Sequence, residues 1–130
     1  MDSQEVMIEL VKLHHVSFAS QNLDASRAFF SGVLGLAEIE RPGFTFPGIW
    51  YALGDRQLHI IGNQAAGAKA ASRLSRSDHV ALEVADVDAV RRTLEQNGVP
   101  YQEGGNLSLG MEQIFCRDPD GHVLEFVRYP

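Results

Sequence analysis

Cysteine occurs once in the 130 residues, as Cys116, so no disulfide can form within the chain and a reducing compartment is expected. Long basic runs are missing too: 11 Lys and Arg are scattered against 17 Asp and Glu, for a net charge of −6. That balance offers no electrostatic footprint for nucleic acid or for an anionic membrane surface. No apolar run approaches the roughly 18–20 residues of a membrane span. The opening MDSQEVMIEL carries acids where a secretory signal would carry positive charge. The expected partner is therefore a small molecule, with no nucleic acid and no membrane, and the expected location is the cytoplasm. What is present is an ordinary globular composition, 45% hydrophobic and 22% charged, in a length that buries one core and not two. A single domain over residues 1–130 is expected. Cys116 lies in the apolar run MEQIFCRDP, which favours a buried thiol over a nucleophile.

The chain is written twice. HVSFAS from His15 is nearly repeated as HVALEV from His79, and an aspartate follows nine residues after each His, at Asp24 and Asp88. Each aspartate reads as the cap of a short amphipathic helix, with Ala25, Ala28, Phe29 and Val33 apolar in the first and Val90 and Leu94 in the second. Glycines stop both helices, Gly35 and Gly98. Three short strands follow in each half, around AEIER, IWYAL and QLHII and then around PYQEG, EQIFCR and HVLEFV. The fold class is α+β: two βαβββ modules, the first about 10–62 and the second about 78–129, joined by a small and polar crossover, 63–77. His59 and Glu125 occupy equivalent places on the closing strands, 44 and 46 residues after His15 and His79.

Side chains alternate across a strand, so parity decides which residues share a face. Val16 and Phe18, Val80 and Leu82, Leu58 and Ile60, and Leu124 and Phe126 should lie under the helices. His15, His79, His59 and Glu125 then face the other way, toward a hollow between two curved mixed sheets. A single strand histidine is usually structural, but ligand-type residues at both equivalent pairs change the balance. Three imidazoles and a carboxylate suit a divalent ion such as Zn, Ni, Co, Mn or Fe. Glu125 would be costly to bury among Val, Leu and Phe without a positive partner. His14 and His122 sit at strand beginnings on the other parity and read as rim or supporting residues, and Glu83 as a rim charge. Phe44, Phe46, Trp50 and Tyr51 flank the hollow in sequence; Phe46 and Trp50 are the candidate substrate-binding residues.

The paired βαβββ modules, HHVSFAS, FFSGVLGL, DHVALEV and DPDGHVLEFV together resemble the vicinal oxygen chelate superfamily, which includes glyoxalase I, fosfomycin-resistance enzymes, extradiol dioxygenases and bleomycin-resistance proteins. RPGFTFPGIWYALGDRQLHII looks like a glyoxalase-like subgroup of it. The resemblance implies a central metal cavity held by His15, His59, His79 and Glu125, and a homodimer or a single chain as the unit that builds it. It departs from typical glyoxalase I at His59, where that enzyme has Glu, so Glu125 alone remains as metal-bound general base. Three functions are implied. The first is a metal-dependent glyoxalase-like lyase or isomerase acting on a substrate with adjacent oxygens. The second is an Fe(II) dioxygenase of extradiol type, using His15, His79 and Glu125 with His59 as a supporting acid or base. The third is a metal-free binding protein of bleomycin-resistance type.

Overall fold

Strands rich in β-branched and aromatic residues assemble into two four-stranded sheets that repeat one path. In the first, β1 (His15–Ala19), β2 (Glu38–Ile39), β3 (Gly48–Leu53) and β4 (Arg56–Ile61) are ordered β1-β4-β3-β2. In the second, β5 (His79–Glu83), β6 (Tyr101–Asn106), β7 (Met111–Arg117) and β8 (Val123–Arg128) are ordered β5-β8-β7-β6. The computed structural model describes residues 9, 11–62 and 79–130, so the expected crossover 63–77 lies outside the described residues. Each sheet is mixed: the first strand of a module runs parallel to its last, and the last runs antiparallel to the third.

The registers bear out the equivalence of the two closing strands. His59 lies beside Ser17, two residues beyond His15, and Glu125 lies beside Ala81, two residues beyond His79. On the other flank His59 faces Trp50 and Glu125 faces Phe115. The apolar parity holds as well, since Phe18, Leu58, Ile60, Leu124 and Phe126 all join one buried cluster with Phe30, Tyr51, Leu94 and Ile114. Truncating a fully buried aromatic such as Phe30 would cost about 3–5 kcal/mol. Cys116 is fully buried in the same cluster, and burial pushes its thiol up to about 12, which removes it as a nucleophile at ordinary pH.

Two expectations about the helices need correction. The caps are Asn22 and Asp86, whose side chains accept from the Ala25 and Ala89 amides at 3.1 and 3.2 Å; Asp24 and Asp88 stand in the first turn. A cap has to be extended and three residues ahead of the amide it satisfies, and Asn22 and Asp86 meet both conditions. The aspartates still favour the positive end of the helix dipole. The second correction is Ala28, which is exposed. Regular helix α1 (Leu23–Arg27) widens at that residue into a π-turn over Ala28–Val33, with Leu34 N–H donating to Phe29 O at 2.9 Å. The wide turn rephases the face, so the neighbours Phe29 and Phe30 are both buried, together with Ser26. The second helix, α2 (Val87–Gln96), stays regular and buries Val87 and Leu94. Gly35 and Gly98 end the two helices at φ 72° and 67°, a conformation that a side chain disfavours.

The turn between β7 and β8 ties the second module to the first. Asp118 accepts from the amides of Asp120 and His122 at 3.0 and 2.7 Å. His122 is buried and not on a rim; its Nε2–H donates to Ala19 O at 2.9 Å and its ring stacks on Phe18 at 4.3 Å. Asp120 accepts from the Gln21 amide at 3.1 Å. The turn therefore holds the end of β1 from three directions. Among the described residues no helix is long and apolar enough to cross a membrane.

Asp118 is 5% exposed, and burial raises its carboxyl to about 6, against the opposing pull of His122. A raised folded pKa means that the folded state binds the extra proton, so this contribution is present below the unfolded value near 3.8 and is lost as pH rises through about 6. Asp118→Asn keeps the amide acceptor and removes the titration. Relative to the parent, it is expected to gain stability from about pH 4 to about pH 6 and to level off above that in denaturant melts; a difference that does not change with pH would contradict the assignment.

Candidate metal and substrate site

Parallel pairing brings the first and last strands of each module side by side, and the candidate ligands meet in twos. In the first module the His15 and His59 rings stack with centres 4.0 Å apart. Trp50 covers the other face of His59 at 3.9 Å and 1°, so His59 is the middle of a three-ring pile and is only 7% exposed. Its Nε2–H donates to Gln57 Oε1 at 2.8 Å. Burial, then the nearby His15, His14 and Arg41, lowers its pKa to about 4, so the ring is neutral at ordinary pH, as a metal ligand must be. His14 reaches the same place: its Nδ1 lies 2.9 Å from His15 Nδ1 and fixes the orientation of that ring.

In the second module the His79 Nε2 lies 2.8 Å from Glu125 Oε1. Gln113 Nε2 donates to Glu125 Oε2 at 2.8 Å, which satisfies both oxygens of a carboxylate that is 5% exposed. Phe115 closes the side of His79 edge-on, at 6.0 Å between ring centres. Among the described residues the Nδ1 of His79 is buried without a partner, and Glu125 and Phe115 orient this ring. A histidine nitrogen and a carboxylate oxygen this close form an ion pair or two donors to one ion, and the donor types fit a borderline divalent metal. Among the described residues, however, no three His, Cys, Asp or Glu side chains gather as a metal-holding group. The four expected ligands stand as two pairs, one in each module.

A cavity of about 320 Å³ opens over the first pair, walled by His15, His59, Trp50, Phe44, Phe46 and Arg41. The structure thus puts both expected substrate-binding residues, Phe46 and Trp50, beside His59. Four neighbours escaped sequence reasoning. Gln57 and Gln113 share the inward parity with His59 and Glu125, a usable signal, but a strand glutamine is uninformative until its cross-strand neighbour is known. Phe115 could have been found by matching it to Trp50 in the repeat. Arg41 gave no signal, because its place depends on the close approach it makes to Gly48, where a Cβ would lie 3.0 Å from the guanidinium and 2.6 Å from Ile60 O.

Comparison with known proteins bears on the family and the fold. The model of the Glyoxalase/Bleomycin resistance protein/Dioxygenase superfamily matches residues 12–126. The chain belongs to that superfamily. Glyoxylase I 4 of Arabidopsis thaliana is 29% identical over 91% of this chain and 71% of its own length. Lactoylglutathione lyase of Neisseria meningitidis is 26% identical over 91% of both chains. A crystal structure of a glyoxalase family protein from Enterococcus faecalis superposes with a TM-score of 0.69 at 25% identity, covering 89% of this chain and 96% of that one. Superfamily membership is thereby fixed, and with it the glyoxalase-like fold of two repeated modules.

Gln113→Leu would strip one oxygen of buried Glu125 of its hydrogen bond and is expected to destabilise the protein by about 1–3 kcal/mol in chemical denaturation. The same change in a Glu125→Gln background should cost less. Equal costs in both backgrounds would show that Gln113 does not hold the carboxylate.

Proposed function

We propose that the protein is a divalent-metal-dependent lyase or isomerase of glyoxalase type, with Glu125 as its general base. The observation that carries this reading is the buried carboxylate of Glu125, set in an apolar strand, gripped at Oε2 by Gln113 and left at Oε1 facing the imidazole of His79. His15, His59, His79 and Glu125 would hold the ion, which is one of Zn, Ni, Co, Mn or Fe. Bound there, it would supply Lewis acidity to a substrate with two neighbouring oxygens. A homodimer is the working unit of this reading, in which the pair from a first module and the pair from a second close on one ion.

The residues then divide the work. Gln113 fixes the carboxylate plane through Oε2, and Oε1, which faces His79, would be the oxygen that takes a proton from the carbon beside a carbonyl and returns it to the adjacent carbon. Stacking between His15 and Trp50 keeps His59 neutral and stationary. The apolar walls of Phe46 and Trp50 exclude water from the acidified carbon.

A second reading has its own support. The Nε2 of His59 is occupied by Gln57, which leaves His15, His79 and Glu125, the two-histidine, one-carboxylate set of Fe(II) oxygenases, with His59 as a supporting acid or base.

Protein purified without chelator is expected to contain a divalent metal and to turn over a hemithioacetal of a 2-oxoaldehyde. Glu125→Gln should keep the fold by circular dichroism and lower turnover by about 10²-fold or more. Full activity of that variant would remove Glu125 as base. Oxygen uptake with a catechol after Fe(II) loading, without hemithioacetal turnover in any metal, would transfer the assignment to the second reading.

A further inference from the structure

The cavity over the first module differs in charge from the rest of the molecule. The chain carries 17 Asp and Glu and a net charge of −6, yet among the described residues no carboxylate lines this cavity. Its polar wall consists of the imidazoles of His14, His15 and His59, Ser17 and one guanidinium. Arg27, Arg56, Arg91, Arg92 and Arg128 each meet an Asp or Glu. Among the described residues Arg41 meets none. It is nevertheless tightly placed. One terminal nitrogen donates to Phe46 O at 2.7 Å, and the guanidinium lies 5.1 Å from the centre of the Phe44 ring and 4.8 Å from that of Phe46. It crosses Gly48 where a side chain would not fit. Among the described residues its Nε–H is buried and has no acceptor.

A charged donor held in position with an unused N–H, in a cavity free of carboxylates, lacks one thing, an anion. Phe44 and Phe46, the two rings beneath the guanidinium, stack at 5.1 Å and are 45% and 44% exposed. The opposite wall is flat and aromatic, made by Trp50 lying parallel on His59. We infer that the substrate bears, beside its reacting carbons, a planar, unsaturated or aromatic carboxylate group whose anion pairs with Arg41 while its flat part lies along Trp50. A single guanidinium and a volume near the small end of ligand cavities, about 300–1,000 Å³, fit one carboxylate on a small body. Arg41 is here a specificity-determining residue. The inference deepens the proposed function and rests on that reading only in taking this cavity as the substrate's.

Trp50 is the only tryptophan in the chain, so its fluorescence reports on this wall directly. The test titrates full-length protein, kept in chelator, with benzoate and with its neutral counterpart benzamide. Benzoate is expected to perturb Trp50 saturably and to bind at least about tenfold more tightly than benzamide. Arg41→Gln should abolish that preference, and Arg41→Lys, which keeps the charge without the fork, should restore part of it. Circular dichroism of both variants reports their folding, and the benzoate to benzamide ratio of the parent protein needs no variant at all. Equal binding of the two probes, or a preference that survives in Arg41→Gln, overturns the inference. So does a preference that appears only after metal is added, because the anion then sits on the ion and not on Arg41, and the proposed function stands. A preference in chelator, in a protein that binds no metal in any condition, sustains the inference while the metal reading fails.

Discussion

Everything proposed for this protein depends on the parallel pairing of the first and last strands within each module. Without it, residues more than 40 apart in sequence would not share a face. With it, His15 and His59 stack, and His79 and Glu125 touch. A parallel pair cannot be closed by a tight turn, so a helix and two strands must intervene. The same constraint explains why each module buries a helix on one face of its sheet and presents its polar pair on the other. The core and the site are two faces of one arrangement.

The two halves have diverged in charge while keeping this geometry. The first carries imidazoles, an arginine and aromatic rings; the second carries a buried carboxylate held by an amide and an imidazole. Burial, with His15, His14 and Arg41 close by, keeps His59 neutral, and Glu125 is held at both oxygens by Gln113 and His79. The turn through Asp118 and His122 fastens the second module to the end of β1 and so maintains the relation between the core strands of both.

Much of this was legible in the sequence because repetition and parity are local signals. Nine-residue spacings and the twofold alternation of strands located both sheets, both helices and the four polar residues, and the register of Ser17 with His59 and of Ala81 with Glu125 bears out their equivalence. The caps were displaced by two residues because Asp24 and Asp88 have the right chemistry and only backbone conformation excludes them. Ala28 was misplaced because a π-turn shifts helical phase without leaving a compositional trace. Arg41, Gln57 and Gln113 depend on which strand lies next door, and the two-and-two grouping of the ligands depends on how the modules sit in three dimensions. Neither is written in any periodicity.

The central claim is that His15 and His59 from one kind of module and His79 and Glu125 from the other serve a single ion. Cobalt(II) titration followed by its visible absorption tests it most directly, since the band reports the ligands around the metal. One ion per chain is expected. His15→Ala and His79→Ala, in different modules, should each alter the same band and weaken binding by at least about tenfold. Two independent ions per chain, or a band that either substitution leaves unchanged, would contradict the claim.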